Sequence, residues 1–200
     1  MRILIIGGRG TIGKKVSSHF SENNEVIIAG RNSGDVNVDI SDSKSIVEMF
    51  KKTGKFDAII CIAGTVKWGN FDELSEEDFH IGLNSKLMGQ VNLVRIGRTF
   101  LNKGGSITLT TGVLADDPVV KTTGAAIVNG GIHSFVKAVV LELENGIRVN
   151  VVSPDMVEDS YERLKDLFPG HIPIPMDRVV NGYVRSVNGK GNGEIIRIYN

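Results

Sequence analysis

Four apolar residues, Ile3-Leu4-Ile5-Ile6, run directly into Gly7-Gly8-Arg9-Gly10-Thr11-Ile12-Gly13, and an amphipathic segment follows at once. A short, wholly apolar, β-branched run suits a strand buried on both faces of a parallel sheet. From Thr11 the apolar residues Ile12, Val16 and Phe20 recur at helical spacing, so strand, glycine turn and helix come in immediate succession. The turn holds G-x-G-x-x-G at positions 8, 10 and 13 and G-x-x-G-x-x-G at 7, 10 and 13. Between a strand and a helix this spacing has a mechanism. Glycines permit the tight turn and let backbone approach a pyrophosphate, while the free amides of the helix N-terminus face the phosphates. Gly7, Gly8, Arg9, Gly10, Thr11 and Ile12 are therefore candidate cofactor-binding residues for a dinucleotide.

The same alternation continues along the chain. Strands are expected at 26–29, 36–38, 58–62, 107–110, 149–152 and 194–198, and helices at 41–52, 75–101, 123–144 and 177–187. The acidic run Glu76-Glu77-Asp78 after Ser75 marks a helix start, where the dipole favours negative charge. Buried strands interleaved with helices predict an α/β, doubly wound Rossmann fold: a mostly parallel sheet of about seven strands, helices on both faces, and residues 3–6 at its centre. No internal repeat or linker-like stretch divides the chain, so residues 1–200 are expected to form one domain.

Composition narrows the partners. Lys plus Arg equals Asp plus Glu at 23 each, which disfavours nucleic acid as the main ligand. Cys61 is the single cysteine, so no internal disulfide or multi-cysteine metal site can form, and no metal is expected. The N-terminal apolar run is too short for a signal peptide, and no stretch reaches the length of a membrane span, so a cytoplasmic protein without a membrane partner is expected.

The second strand ends in Ala29-Gly30-Arg31-Asn32, where an NAD-selective site usually carries Asp or Glu for the ribose 2′-hydroxyl. A guanidinium at that place complements a 2′-phosphate by charge and by paired donors, and Arg9 adds a second positive group, which favours NADP over NAD. Asp39, ending the third strand, is read either as an acceptor for the adenine amino group or as a helix-capping residue.

With these residues in view, the chain resembles the short-chain dehydrogenase/reductase superfamily over essentially its full length. The landmarks agree in order: the glycine loop, Asp39, Cys61-Ile62-Ala63-Gly64 where the family commonly has Asn-Asn-Ala-Gly, Asn84 in the long helix, Gly105-Ser106-Ile107, and Ile147-Arg148-Val149-Asn150-Val151-Val152-Ser153-Pro154. The resemblance adds Ala63 and Gly64 to the cofactor-binding set and implies a compact member ending soon after its last strand. It also implies a carbonyl reduction in which a Tyr, its pKa lowered by a Lys four residues later, gives the proton. Both positions are changed: the alignment puts Ala125 at the Tyr and Asn129 at the Lys, and the family's Ser falls on Gly112. Of the four catalytic residues only Asn84 survives, and Thr111, beside the lost Ser but with no base adjacent in sequence, is a candidate substitute.

Other substitutes are weaker. His133 lies about 12 Å along the helix from Ala125 and is expected to pack or to meet a partner chain instead. Tyr161 could swing in from the segment after Pro154, and Lys86 is expected to face solvent, on a different helix face from Asn84. Cys61 is read as core, and Trp68 and Phe71 as cleft lining or a loop clamp. The resemblance implies an NADP-dependent oxidoreductase with an altered proton relay and a small-molecule substrate. The alternative is an NADP-binding module without catalysis that reports cofactor state through the loops at 64–74 and 155–175. The resemblance further implies a homodimer or homotetramer, paired through the helices at 75–101 and 123–144.

Overall fold

The computed structural model describes residues 1–200. Seven strands form one parallel sheet: β1 (Arg2–Ile6), β2 (Glu25–Gly30), β3 (Val36–Asn37), β4 (Phe56–Cys61), β5 (Leu101–Thr110), β6 (Arg148–Pro154) and β7 (Ile195–Ile198). Their order is β3-β2-β1-β4-β5-β6-β7. β1 is thus interior, between β2 and β4, while the middle position expected for it belongs to β4. The order reverses between β1 and β4, and in open parallel sheets ligands bind outside the carboxyl ends of the strands at such a switch point.

Side chains on β1 alternate between two cores. Leu4 and Ile6 join Ile46, Phe50, Ile59, Leu93, Ile107 and Val149 on one face. Ile3 and Ile5 join Val16, Phe20, Ile60, Val179 and Tyr183 on the other. The first face is covered by α2 (Ser43–Thr53), α4 (Gly89–Gly97) and α5 (Thr123–Val139), the second by α1 (Thr11–Ser21) and α7 (Met176–Asn188). Each element's ends follow local chemistry. Asp42, not Asp39, caps α2 by accepting from the Lys44 amide at 2.9 Å, and Gly54 closes it at φ +79°. Ser75 and Asp78 form a reciprocal capping box at the start of α3 (Glu76–Gly82).

Three segments depart from the sequence pattern. The helix expected over 75–101 is α3, then a π-helical stretch at Leu83–Met88, then α4, and β5 begins already at Leu101. Leu101 pairs with Phe56, and a register shift then brings Ser106 beside Ala58, so the exposed Asn102-Lys103-Gly104 is carried as an irregular lead-in to the buried strand. α5 stops at Val139 instead of running to 144, and a short α6 (Tyr161–Leu164) forms in the segment after Pro154. No helix is long and apolar enough to cross a membrane.

Candidate active site

Two cavities open at the carboxyl ends of the strands. The first, about 370 Å³, lies at the switch point and is lined by Gly7, Arg9 and Gly10, by Gly30 and Arg31, and by Asp39, Ala63, Gly64, Thr65 and Ser85. The glycine loop is built for close approach. Gly7 sits at φ +83°, and a Cβ there would come 2.6 Å from the Ile62 carbonyl oxygen; one on Gly13 would collide with the Gly7 oxygen. Gly10, by contrast, is the N-cap of α1 with no side-chain cap bond, and a Cβ there would make only ordinary contact, 3.4 Å from the Gly7 oxygen. The amides of Thr11, Ile12 and Gly13 find no acceptor in the chain, since the first bond of α1 is Lys14 N–H to Gly10 O. An open glycine face, three unspent helix amides and two nearby guanidinium groups suit a pyrophosphate-bearing dinucleotide.

Arg31 is exposed, and its Nε lies 3.3 Å from Asp39 Oδ2, so its terminal amines stay available. The Asp39 carboxylate accepts from both the amide and the hydroxyl of Ser41, and those bonds hold its pKa below the usual value. Asp39 is therefore a wall of this cavity that braces Arg31, not a helix cap. Ile12, expected with the cofactor set, instead lines the second cavity, and Gly8 packs under the loop against Ser17 and Ile28.

The second cavity, about 310 Å³, adjoins the first through Gly64, which lines both. Apolar residues make most of its wall, including Val66, Trp68, Met156, Leu164 and Phe168. Trp68 stands 6.3 Å from the Phe168 ring, joining the loop before α3 to the segment after Pro154. That segment is tied down by a Val157–Ile174 bridge and by Asp155, whose carboxylate accepts from Met156 N–H at 2.7 Å and sits 2.9 Å from His171 Nδ1. Phe71 lies outside it, exposed against Phe79, and Tyr161 packs behind the wall without lining it.

The polar groups of this cavity are few and fixed. Thr111 follows β5, whose end is clamped from both faces. On one side the buried Gln90 takes the Thr110 carbonyl and amide; on the other the Thr110 hydroxyl meets Tyr183 and the Cys61 carbonyl. Thr111 Oγ1 then lies 2.8 Å from His133 Nε2, so the base absent in sequence is present in space, and His133 is not merely packing. Burial lowers the His133 pKa from its ordinary value, with Asp116 acting the other way. Ala125 and Asn129 both line the cavity, as the alignment implied. Asn129 donates weakly to the Gly112 carbonyl at 3.4 Å, while its buried Oδ1 has no partner.

Two expectations need correction. Asn84 is exposed and lines neither cavity; its carbonyl accepts the π-helical bond from the Gly89 amide. Lys86, expected in solvent, turns inward instead and lines the second cavity. The π turn sets Ser85 on the wall of the first cavity and Lys86 on that of the second, and Ser85 Oγ accepts from the Thr65 amide at 3.1 Å. Lys86 makes no hydrogen bond or ion pair; burial pushes its ammonium down to about 8, with Cys61 acting the other way. The only hint of this was the small Gly64: a Cβ there would lie 2.7 to 2.9 Å from the Lys86 stem. Cys61 is core as expected, its thiol raised to about 11 by burial.

Comparison with known proteins places this geometry. Residues 15–169 match the family described as enoyl-(acyl carrier protein) reductase. An oxidoreductase UcpA of Salmonella typhimurium is 33% identical over 132 residues, 61% of this chain and 49% of that protein. A 2,3-dihydro-2,3-dihydroxybenzoate dehydrogenase of Escherichia coli is 26% identical over 133 residues, 63% of this chain and 54% of that protein. The chain thus spans about half the length of the curated relatives it matches. Among solved structures, the protein lin1944 from Listeria innocua is 42% identical at a TM-score of 0.98, with 100% of both chains covered. A small-chain dehydrogenase in complex with NADPH is 27% identical at a TM-score of 0.87, covering 100% of this chain and 96% of that one.

Proposed function

This chain belongs to the short-chain dehydrogenase/reductase superfamily, and from that premise we propose that it is an oxidoreductase that binds NADP(H) and acts on a small carbonyl or alcohol compound. The observation that carries the cofactor choice is the pairing of Arg31 and Arg9 on the wall of the first cavity, with Asp39 engaged by Ser41 and Arg31. A ribose 2′-hydroxyl would want a free carboxylate there; a 2′-phosphate wants the guanidinium groups. A relative of 27% identity was solved with NADPH, which supports the same choice.

When bound, the reduced nucleotide supplies hydride to a carbonyl carbon. The Thr11, Ile12 and Gly13 amides would hold its phosphates, Arg31 and Arg9 the 2′-phosphate, with Ala63-Gly64 on the wall leading to the second cavity. The largely apolar walls of that cavity, among them Met156, Leu164 and Phe168, would take the body of the substrate. This paired arrangement favours an enzyme over a module without catalysis, since a cofactor reporter has no use for a second, polar-tipped cavity.

Calorimetric titration with NADPH and NADH tests the reading. NADPH binds more tightly, and Arg31→Ala weakens NADPH about 10- to 100-fold, as loss of a charge-assisted bond of about 1.5–3 kcal/mol requires, while NADH changes little. Equal losses overturn the 2′-phosphate assignment, and no binding of either nucleotide at millimolar concentration overturns the cofactor reading.

A further inference from the structure

The second cavity contains a cation without a partner. Lys86 reaches it from the π-helical stretch, its stem laid against Gly64, and its ammonium has neither a carboxylate nor a hydrogen-bond acceptor within the chain. Around it stand Thr111, bonded to His133, and Asn129, whose buried Oδ1 is also unpartnered. A buried polar group in a folded protein is normally satisfied, so the orphaned Asn129 Oδ1 beside an unpaired ammonium in one cavity points to a ligand that completes the cluster. π-Helical turns, moreover, recur where a side chain is re-aimed into a functional site. The positions aligned with the family's Tyr and Lys hold Ala125 and Asn129, which cannot release a proton, and they line this same cavity.

We propose that Lys86 is the proton donor of the reaction, supplied from the helix opposite α5 to the oxygen of a small carbonyl compound held in the second cavity. This rests on the oxidoreductase reading above. The carbonyl carbon gains the hydride that the reduced nucleotide supplies, and the C=O π pair moves onto oxygen. That oxygen takes one proton from Lys86 Nζ. The carbonyl compound is reduced to an alcohol, the nucleotide is oxidised, and the neutral amine regains its proton from solvent. Thr111 Oγ1, oriented by His133, hydrogen-bonds the same oxygen. An ammonium that ionises near pH 8 suits the role, because it is charged at neutrality yet gives its proton readily. The titratable groups facing Lys86 are Cys61 from β4 and His133 from α5. Asp155, on the far side of the cavity, is held by His171.

Competitive acetylation of all lysines with acetic anhydride over a range of pH, read by peptide mass spectrometry, tests the proposal on the intact protein. Lys86 labels with a midpoint near pH 8, below the ordinary lysine value, and saturating NADPH slows its labelling at least tenfold. A midpoint near 10, or labelling indifferent to bound NADPH, overturns the proposal. Failure of NADPH to bind fells the cofactor reading instead, and the titration registers that separately. With 2,3-butanedione and benzaldehyde as probes, the rate of NADPH oxidation falls as pH rises through about 8. Lys86→Met and Lys86→Arg both lose at least a hundredfold in kcat while their NADPH affinity stays within twofold. Retained turnover in Lys86→Met, or no turnover of either probe by the NADPH-bound wild type, overturns it.

Discussion

Lys86 carries a cost that can be measured without any substrate. An unfolded lysine ionises near 10.5, and in the fold this one ionises near 8. Below pH 8 the folded state must hold a charge that its surroundings disfavour, so the full penalty is present there. Between 8 and 10.5 the penalty fades, and above 10.5 neither state carries the proton. Lys86→Met is therefore more stable than the wild type at pH 7, by about 1 to 3 kcal/mol, and the difference closes by pH 10.5. Urea unfolding at the two pH values checks it, and a destabilised variant at pH 7 would mean that the ammonium has a favourable partner. A residue that destabilises its own fold and still faces a cavity is the usual sign of a site shaped for chemistry at the expense of stability. The same holds on a smaller scale for Asn129, whose orphaned Oδ1 costs desolvation with nothing in the chain to offset it.

At the level of elements, the π-helical stretch is what turns an ordinary amphipathic helix into a wall of the site. One residue more than an α-helix needs between α3 and α4 lets both flanking helices keep their buried faces while Ser85 lines the first cavity and Lys86 the second. Deleting the exposed Met88 should let this turn close to α geometry with α3 and α4 still packed. Lys86 then leaves the cavity and its acetylation midpoint climbs toward that of a surface lysine; a midpoint unchanged at 8 would show that the π turn does not aim it. This stretch also marks where sequence reading stops. β1 and β4 were legible because their buried runs, Ile3–Ile6 and Ala58–Cys61, are wholly apolar, β6 because Asn150 alone interrupts its valines, and the glycine loop because its spacing has a single mechanical use. Helical periodicity, however, assumes one residue per 100°, so a single inserted residue misassigns everything inside the wide turn. Lys86 was thereby expected to face outward, whereas Asn84 entered through the family resemblance; the structure reverses both placements. Thr111 and His133 were each weighed alone for a related reason: they stand on different elements, and only the packing of α5 across β5 brings them to 2.8 Å. The clamp by Gln90 that holds Thr111 in place had no sequence signal at all, being a polar residue in a helix whose buried face is otherwise apolar.

For the whole molecule, part of the apolar surface left over lies on α3, the π turn and α5. Ile81 on α3, Met88 in the π turn and Ile127 on α5 are exposed, and shallow grooves run between these helices. We carry the expectation of a homodimer or homotetramer forward as a proposal on this face, since an exposed apolar patch rimmed by polar residues is where a protein is covered by another. Sedimentation at micromolar concentration should give a species of two or four chains, and a monomer would remove the idea. The two cavities, finally, are separated by little more than Gly64, at φ +128° with no side chain, against which the Lys86 stem rests. Occupants on either side of so thin a partition are in thermodynamic conversation. Whatever factor the nucleotide imposes on the affinity of the second ligand, the second ligand must impose on the nucleotide. Any larger residue at 64 would strain the backbone and press on the Lys86 stem, and so would disturb both sites at once.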